Sequence, residues 1–299
     1  MKTVSRRSLL QWVAALPAWP QTLRQKFRAG VCAGSRDEAG FLKVCDSCAQ
    51  AGLHHFETSG AGLRLVELYG GRVAQLKDQL QKRRLDLAGY AQYSHMSEPA
   101  KQQEVLQLHL QIGRFLHDVG GRYITQLWIP PPKPGVPDDQ LLKHVTAEDY
   151  RNFGRQANEI GRRLRNEFGV RIGYHPEQED VAAGLVDRVM EATDPRYFDF
   201  VPDVGHLTAG GLDPMQVYKR YRSRIIATHF RDWDPNAAWE RDGKPIKGRF
   251  VPLGQGVIPL RALASYLEET SFDGQVNAEG GQLQANYDYL AHTLSLDMS

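Results

Sequence analysis

The 299 residues carry 37 lysines and arginines against 35 acidic residues, a formal net charge of +2, with 41% hydrophobic, 24% charged and 9% aromatic side chains. That composition excludes a disordered or collagen-like chain and leaves ample apolar material for a packed core. Charges of both signs are interspersed, so no strong field exists to grip a phosphate backbone, and nucleic acid is not expected as a partner.

At the start of the chain, Ser5-Arg6-Arg7-Ser8-Leu9-Leu10 leads into an apolar stretch that runs to Trp19. Residues 1–24 therefore read as a twin-arginine-like export segment, which would send the protein to the periplasm. The alternative is a chance Arg pair on an N-terminal arm of a cytoplasmic protein. The apolar run is shorter than the roughly 20 residues a membrane span needs, and no other span is expected. Residues 25–299 read as one domain, since α/β barrels commonly use about 250 residues in a single unit.

From Phe27 onward, short β-branched or aromatic runs alternate with longer helical periods. The predicted strands are Arg28 to Ala33, His54 to Thr58, Asp86 to Gln92, Tyr123 to Ile129, Val170 to Tyr174, Phe198 to Val201, Ile225 to His229 and Gln275 to Ala278. Between them lie the predicted helices Glu38 to Ala51, Gly60 to Arg83, Glu98 to Val119, Ala147 to Glu167, Glu179 to Ala192, Pro214 to Tyr221 and Leu260 to Glu269. Alternation of this kind argues for parallel βαβ units. Eight of them suggest an α/β fold, a closed (β/α)8 TIM barrel, with an open doubly wound sheet as the competing arrangement. Cys45-Asp46-Ser47-Cys48 falls inside the first helix, where packed thiols are expected rather than a metal pair. Pro130 to Gly135 and Asp234 to Phe250 read as long loops after the fourth and seventh strands.

Strand ends in the C-terminal half carry hard side chains. Candidate ligands fall at residues 175, 203, 229 and 279, separated by 28, 26 and 50 residues, or about one, one and two strand-helix units. Functional groups just past the C-terminal strand ends converge at one end of such a sheet or barrel, so four distant segments can meet around one ion. Asp203 serves equally as a turn or cap residue, His229 as a satisfied core histidine, and Glu279 as a helix cap. Strand period two puts Gly173, His175 and Glu177 on one face, so either His175 or Glu177 completes the ligand set. Carboxylates with imidazoles suit one divalent ion among Mn²⁺, Co²⁺, Zn²⁺, Fe²⁺ and Mg²⁺.

The order of these motifs resembles the sugar isomerase/epimerase superfamily with a xylose-isomerase-like TIM barrel. The matching phrases are His55-Phe56-Glu57, Gly173-Tyr174-His175, Asp203-Val204-Gly205-His206 followed by Ala209 to Pro214, His229-Phe230-Arg231-Asp232, Leu253-Gly254-Gln255-Gly256, and Phe272-Asp273-Gly274 leading to Glu279. The resemblance implies a divalent metal on a Glu, Asp, His, Glu set, matched here by Asp203, His229 and Glu279. His175 stands where many members have Glu, and Glu177 follows two residues later. It further implies a small-molecule carbohydrate substrate contacted by His206 and Arg231, with Glu57 and His95 also lining the pocket, and it is compatible with a homo-oligomer. The expected chemistry is proton transfer α to a carbonyl, with Glu177 or Glu279 as base and His206 as donor or orienter. The leading expectation is an isomerase or epimerase of a sugar or polyol ketone. The alternatives are a lyase or hydrolase of keto-sugars or inososes and a non-catalytic carbohydrate-binding barrel.

Overall fold

A computed structural model describes residues 25–58, 64–241 and 244–298. The export-segment expectation for residues 1–24 lies outside the described residues. Eight parallel strands form one sheet that curls into a nearly closed barrel: β1 (Arg28–Ala33), β2 (His55–Thr58), β3 (Asp86–Ser94), β4 (Tyr123–Trp128), β5 (Arg171–Tyr174), β6 (Asp199–Phe200), β7 (Ala227–Phe230) and β10 (Gln275–Glu279). The order around the sheet is β6-β5-β4-β3-β2-β1-β10-β7. The remaining seam, between β6 and β7, is bridged at Phe200 with Ile225 and at Asp203 with His229. The expected TIM barrel is thus the observed fold, and all eight predicted strands are present with small shifts at their ends.

The helices follow their sequence signals. Asp37 accepts from the Gly40 N–H to start α1 (Glu38–Ala51), and Gly52 ends it at φ 80°. Thr146 and Asp149 form a capping box on α5 (Ala147–Phe168), satisfying two of the orphan N–H groups of a helix start. This helix packs Phe153 against Trp128, Tyr174 and Phe198, with ring centroids 4.9 to 6.2 Å apart. Burial of this aromatic cluster joins helix and sheet on one side of the barrel.

Three expectations are corrected. The predicted helix Gly60 to Arg83 is two helices, α2 (Leu65–Tyr69) and α3 (Val73–Lys82), because Gly70-Gly71 interrupts the helical run; its residues 60–63 lie outside the described ones. Likewise Glu179 to Ala192 divides into α6 (Gln178–Ala182) and α7 (Leu185–Ala192) at Gly184, whose φ of 71° no helix accommodates. The third concerns Asp234 to Phe250, read as a polar loop: it lies in an antiparallel hairpin of β8 (Asp232–Arg241) and β9 (Lys244–Val251).

Candidate metal centre and active site

The barrel brings His175, Asp203, His229 and Glu279 together: one ligand-type atom of each lies within 4.8 Å of the others. They stand just past or on the C-terminal ends of β5, β6, β7 and β10. His175, Asp203 and His229 are buried, and Glu279 is partly open. Each histidine is aimed by a ladder bond at its own backbone, since the His175 N–H donates to the Gln126 carbonyl and the His229 N–H to the Pro202 carbonyl. The bridge between Asp203 and His229 makes two members of the group cross-strand neighbours.

The two oxygens of Asp203 stand in different surroundings. Its Oδ1 accepts from the His206 N–H at 2.8 Å, capping α8 (Val204–Ala209). Oδ2 is buried without a hydrogen-bond partner; the nearest cation, Arg231 Nε, is 3.6 Å away. A fully buried carboxylate oxygen left without a donor costs free energy unless a cation meets it. With two imidazoles and a second carboxylate beside it, this donor set fits one divalent ion.

The imidazoles are held differently. His175 Nδ1 donates to the Val201 carbonyl at 3.0 Å, which turns Nε2 toward the group. Burial, then the neighbouring charge of His229, holds the His175 pKa below its ordinary value, and the neutral ring is the ligating form. His229 lies between two carboxylates, with Nδ1 2.6 Å from Glu279 Oε2 and Nε2 3.1 Å from Glu57 Oε2. Burial opposes its charge, but Glu57 and Glu279 outweigh burial and push its pKa well up. Glu279 is correspondingly held well below the usual carboxylate range, burial being overcome by His229 and Arg231. Its side chain binds His229 and Arg231, and Gln282 occupies the N-cap of the following helix, so the cap alternative does not describe it.

Glu177 stands beside this group, not within it, and forms a neighbouring triad with His175 and His206. Its Oε1 accepts from the Tyr93 hydroxyl at 2.9 Å, and its Oε2 is 3.1 Å from His206 Nε2. The Gln178 N–H donates to His206 Nδ1 at 3.1 Å. A backbone N–H only donates, so Nδ1 is the acceptor and the proton of the neutral ring sits on Nε2, facing Glu177. Arg231 then lies beside that ring as a charge, its guanidinium also contacting Glu279 and stacking 4.6 Å over the Phe250 ring. Gly205 makes room for it, because a Cβ there would come within 2.8 Å of the Arg231 side chain.

Of two further residues expected at the pocket, Glu57 lies fully buried under the ligand group, accepting from Tyr123, Asn277 and His229. The other, His95, pairs with Glu98 at 2.5 Å rather than with the ligand group. Four residues that the sequence reading passed over belong to the site: Tyr93, Tyr123, Phe250 and Asn277. Asn277 was within reach, since it is two residues before Glu279 and so shares its face of β10. Cys32 also joins the layer, because the register of β1 sets it beside Glu57 on one side and Glu279 on the other.

A family model described as xylose isomerase-like TIM barrel matches residues 45–291. The inosose dehydratase of Lacticaseibacillus casei is 27% identical over 183 residues, which covers 56% of this chain and 60% of that relative's length. Inosose dehydratase 2 of Bacillus cereus is 27% identical over 261 residues, 82% of this chain and 85% of that protein. Among solved structures, a xylose isomerase-like TIM barrel protein from Mycobacterium smegmatis in complex with magnesium superposes with a TM-score of 0.65 at 15% identity, covering 89% of this chain and 95% of that one. That likeness is one of fold. Because the family model takes in well over half of its residues, the chain belongs to the xylose isomerase-like TIM-barrel family.

Proposed function

We propose that this protein is a divalent-metal-dependent enzyme that removes the proton α to the carbonyl of a polyol ketone and expels water from the adjacent carbon, a dehydratase of inosose-like substrates. The observation that carries this reading is the arrangement around Glu177: one partly exposed carboxylate beside the ligand group, with two donors, His206 Nε2 and the Tyr93 hydroxyl, on its two oxygens. Inosose dehydratases among the relatives agree with it.

His175, Asp203, His229 and Glu279 would hold the ion, which supplies Lewis-acid polarisation of the carbonyl. Glu177 takes the α-proton, and the electrons of the broken C–H bond form a carbon–carbon double bond as the neighbouring C–O bond breaks. The departing hydroxyl takes a proton from His206 or Tyr93 and leaves as water. Burial first, then the Glu177 charge, pushes the Tyr93 phenol up, so it stays protonated and able to donate. Arg231, charged and held over Phe250, orients substrate oxygens.

Epimerisation or isomerisation is the second reading, favoured by the position of Glu279 across the ligand group from Glu177. It asks more of the site: epimerisation through two bases needs a carboxylate on each face of the substrate, and Glu279 is already among the residues that would hold the ion. Proton NMR in D₂O, with Mn²⁺- or Co²⁺-loaded protein and a panel of inososes and ketoses, separates the readings. Loss of one water per turnover is expected. Deuterium exchange at a substrate carbon without loss of water would replace this reading with the second, and chelator-insensitive sugar binding without turnover would make the barrel a non-catalytic binder.

A further inference from the structure

We propose that Glu57 is the positioning residue that fixes the ring orientation and tautomer of His229 for cation binding, and that it is not a substrate contact. The inference rests on the metal-dependent reading above. Glu57 ends up at the bottom of the site with no solvent exposure, and its Oε2 gathers three donors: the Tyr123 hydroxyl at 2.7 Å, Asn277 Nδ2 at 3.0 Å and His229 Nε2 at 3.1 Å. Asn277 also donates to the Tyr123 oxygen at 2.9 Å, and the Gln275 amide donates to Asn277 Oδ1 at 3.1 Å. Residues of β2, β4, β7 and β10 thus lock one carboxylate oxygen in place against one imidazole nitrogen.

The consequence lies in which nitrogen stays free for the ion. Glu57 is an acceptor locked by two further donors and stands outside the four-residue ligand group, whereas Glu279 is a member of it; Nε2 therefore faces a fixed anion, and Nδ1 is the nitrogen turned toward the ligand group. An anionic acceptor behind an imidazole makes that ring a stronger ligand and fixes its orientation. His175 has only the neutral Val201 carbonyl behind it. The two histidines are therefore unequal: His175 presents Nε2 with weak support, and His229 presents Nδ1 with a buried charge at its back.

The test uses the full chain stripped of metal and titrated with Co²⁺ against a chromophoric chelator. Glu57→Gln keeps the side chain's size and removes its charge; its Co²⁺ dissociation constant is expected to rise by about 10- to 100-fold, the usual cost of losing an outer-shell partner. In an H229A background the same change is expected to have an effect of no more than about twofold, because the pair acts as a unit. Nitrogen-15 NMR of labelled histidine should show His229 protonated at Nε2 in the Zn²⁺-loaded parent protein, and a redistributed tautomer in E57Q. Circular dichroism establishes that the variant is folded. If it is not, Glu57→Asp retains the charge but falls a methylene short of Nε2 and is expected to weaken Co²⁺ in the same way. A parent protein that binds no Co²⁺ removes the metal reading itself. A parent that binds Co²⁺, with a folded Glu57 variant that binds it equally tightly, overturns the role of Glu57 alone.

Discussion

One oxygen of Asp203 takes the cap role the sequence offers, and the other stays available for the ligand role proposed above: Oδ1 caps a helix and Oδ2 lies buried without a hydrogen-bond partner. A cap and a ligand look the same in a linear sequence, since both call for a short acidic side chain at the end of a strand. The division makes Asp203→Asn informative. Asparagine keeps an oxygen for the His206 N–H while replacing the other oxygen with an amide that cannot ligate, so the helix should form normally and the Co²⁺ dissociation constant should rise beyond the ~10–100-fold typical of outer-shell losses. Glu177→Gln is expected to do the opposite. It should leave metal affinity near that of the parent and lower kcat by roughly 10²- to 10⁴-fold, the range for a general base. Equal metal loss in both variants would put Glu177 among the ligands. Strand period two puts His175 and Glu177 on one face, so the sequence leaves both as ligand candidates; in the fold, the turn at Pro176 and the start of α6 carry Glu177 toward Tyr93 and His206, while His175 stands in both the four-residue group and the Glu177 triad.

Strands that build the barrel were legible because each is a short apolar run bounded by helix caps and glycines. The hairpin of β8 and β9 was not. Asp234-Pro235-Asn236-Ala237-Ala238 has no apolar alternation, and the pairing itself slips between Asp234 and Ala238. Beyond its ladder, one buried carboxylate clasps the segment: Asp232 accepts from the backbone N–H groups of Trp233, Gly254 and Gly256 at 2.9 Å and of Ile258 at 3.1 Å. The glycines of Leu253-Gly254-Gln255-Gly256 answer to this clasp rather than to chemistry. Gly254 has φ 83°, and a Cβ on Gly256 would collide with Asp232 Oδ1. The clasp ties the chain leaving β9 to the start of β8, and Phe250 on β9 covers His206 and Arg231. Asp232→Asn turns an acceptor into a donor facing donors, and at ~1–3 kcal/mol for each buried group left unpaired it should destabilise the protein by about 3 kcal/mol in denaturant titrations. Faster amide exchange at Gly254 and Gly256, with the barrel strands unaffected, should accompany it. Unchanged exchange there would mean that the hairpin is held by its own ladder instead.

On the scale of the whole molecule, the barrel is least continuous where the candidate ligands Asp203 and His229 meet. Every other neighbouring pair of strands is joined by a ladder, whereas β6 and β7 share two isolated bridges, one of them between Asp203 and His229. Buried Arg224 reinforces this seam lower down, donating to the carbonyls of Met190 and Phe198 and to the Thr193 hydroxyl. Asp180 adds a pH term close by. It is buried, accepting from the Tyr174 hydroxyl at 2.9 Å and the Glu177 N–H at 3.1 Å, and burial pushes its pKa from 3.8 up to about 7. The sign follows from linkage: the folded chain holds this proton more tightly than the unfolded chain, so the stabilisation is complete below about pH 4 and is lost as pH rises through about 7. Within that window each pH unit changes the contribution by up to ~1.4 kcal/mol. Buried His109, held below its ordinary pKa by burial, tilts the total the other way as pH falls below the ordinary histidine range, so the parent curve alone does not isolate Asp180. The difference between parent and Asp180→Asn does, because the amide keeps the size and an acceptor for Tyr174 but never ionises. Unfolding free energies from urea titrations between pH 4 and pH 8 should show the variant gaining on the parent as pH rises, with the difference levelling off above pH 7. A difference that stays flat across the whole range would mean that Asp180 ionises in the folded protein as readily as in the unfolded chain.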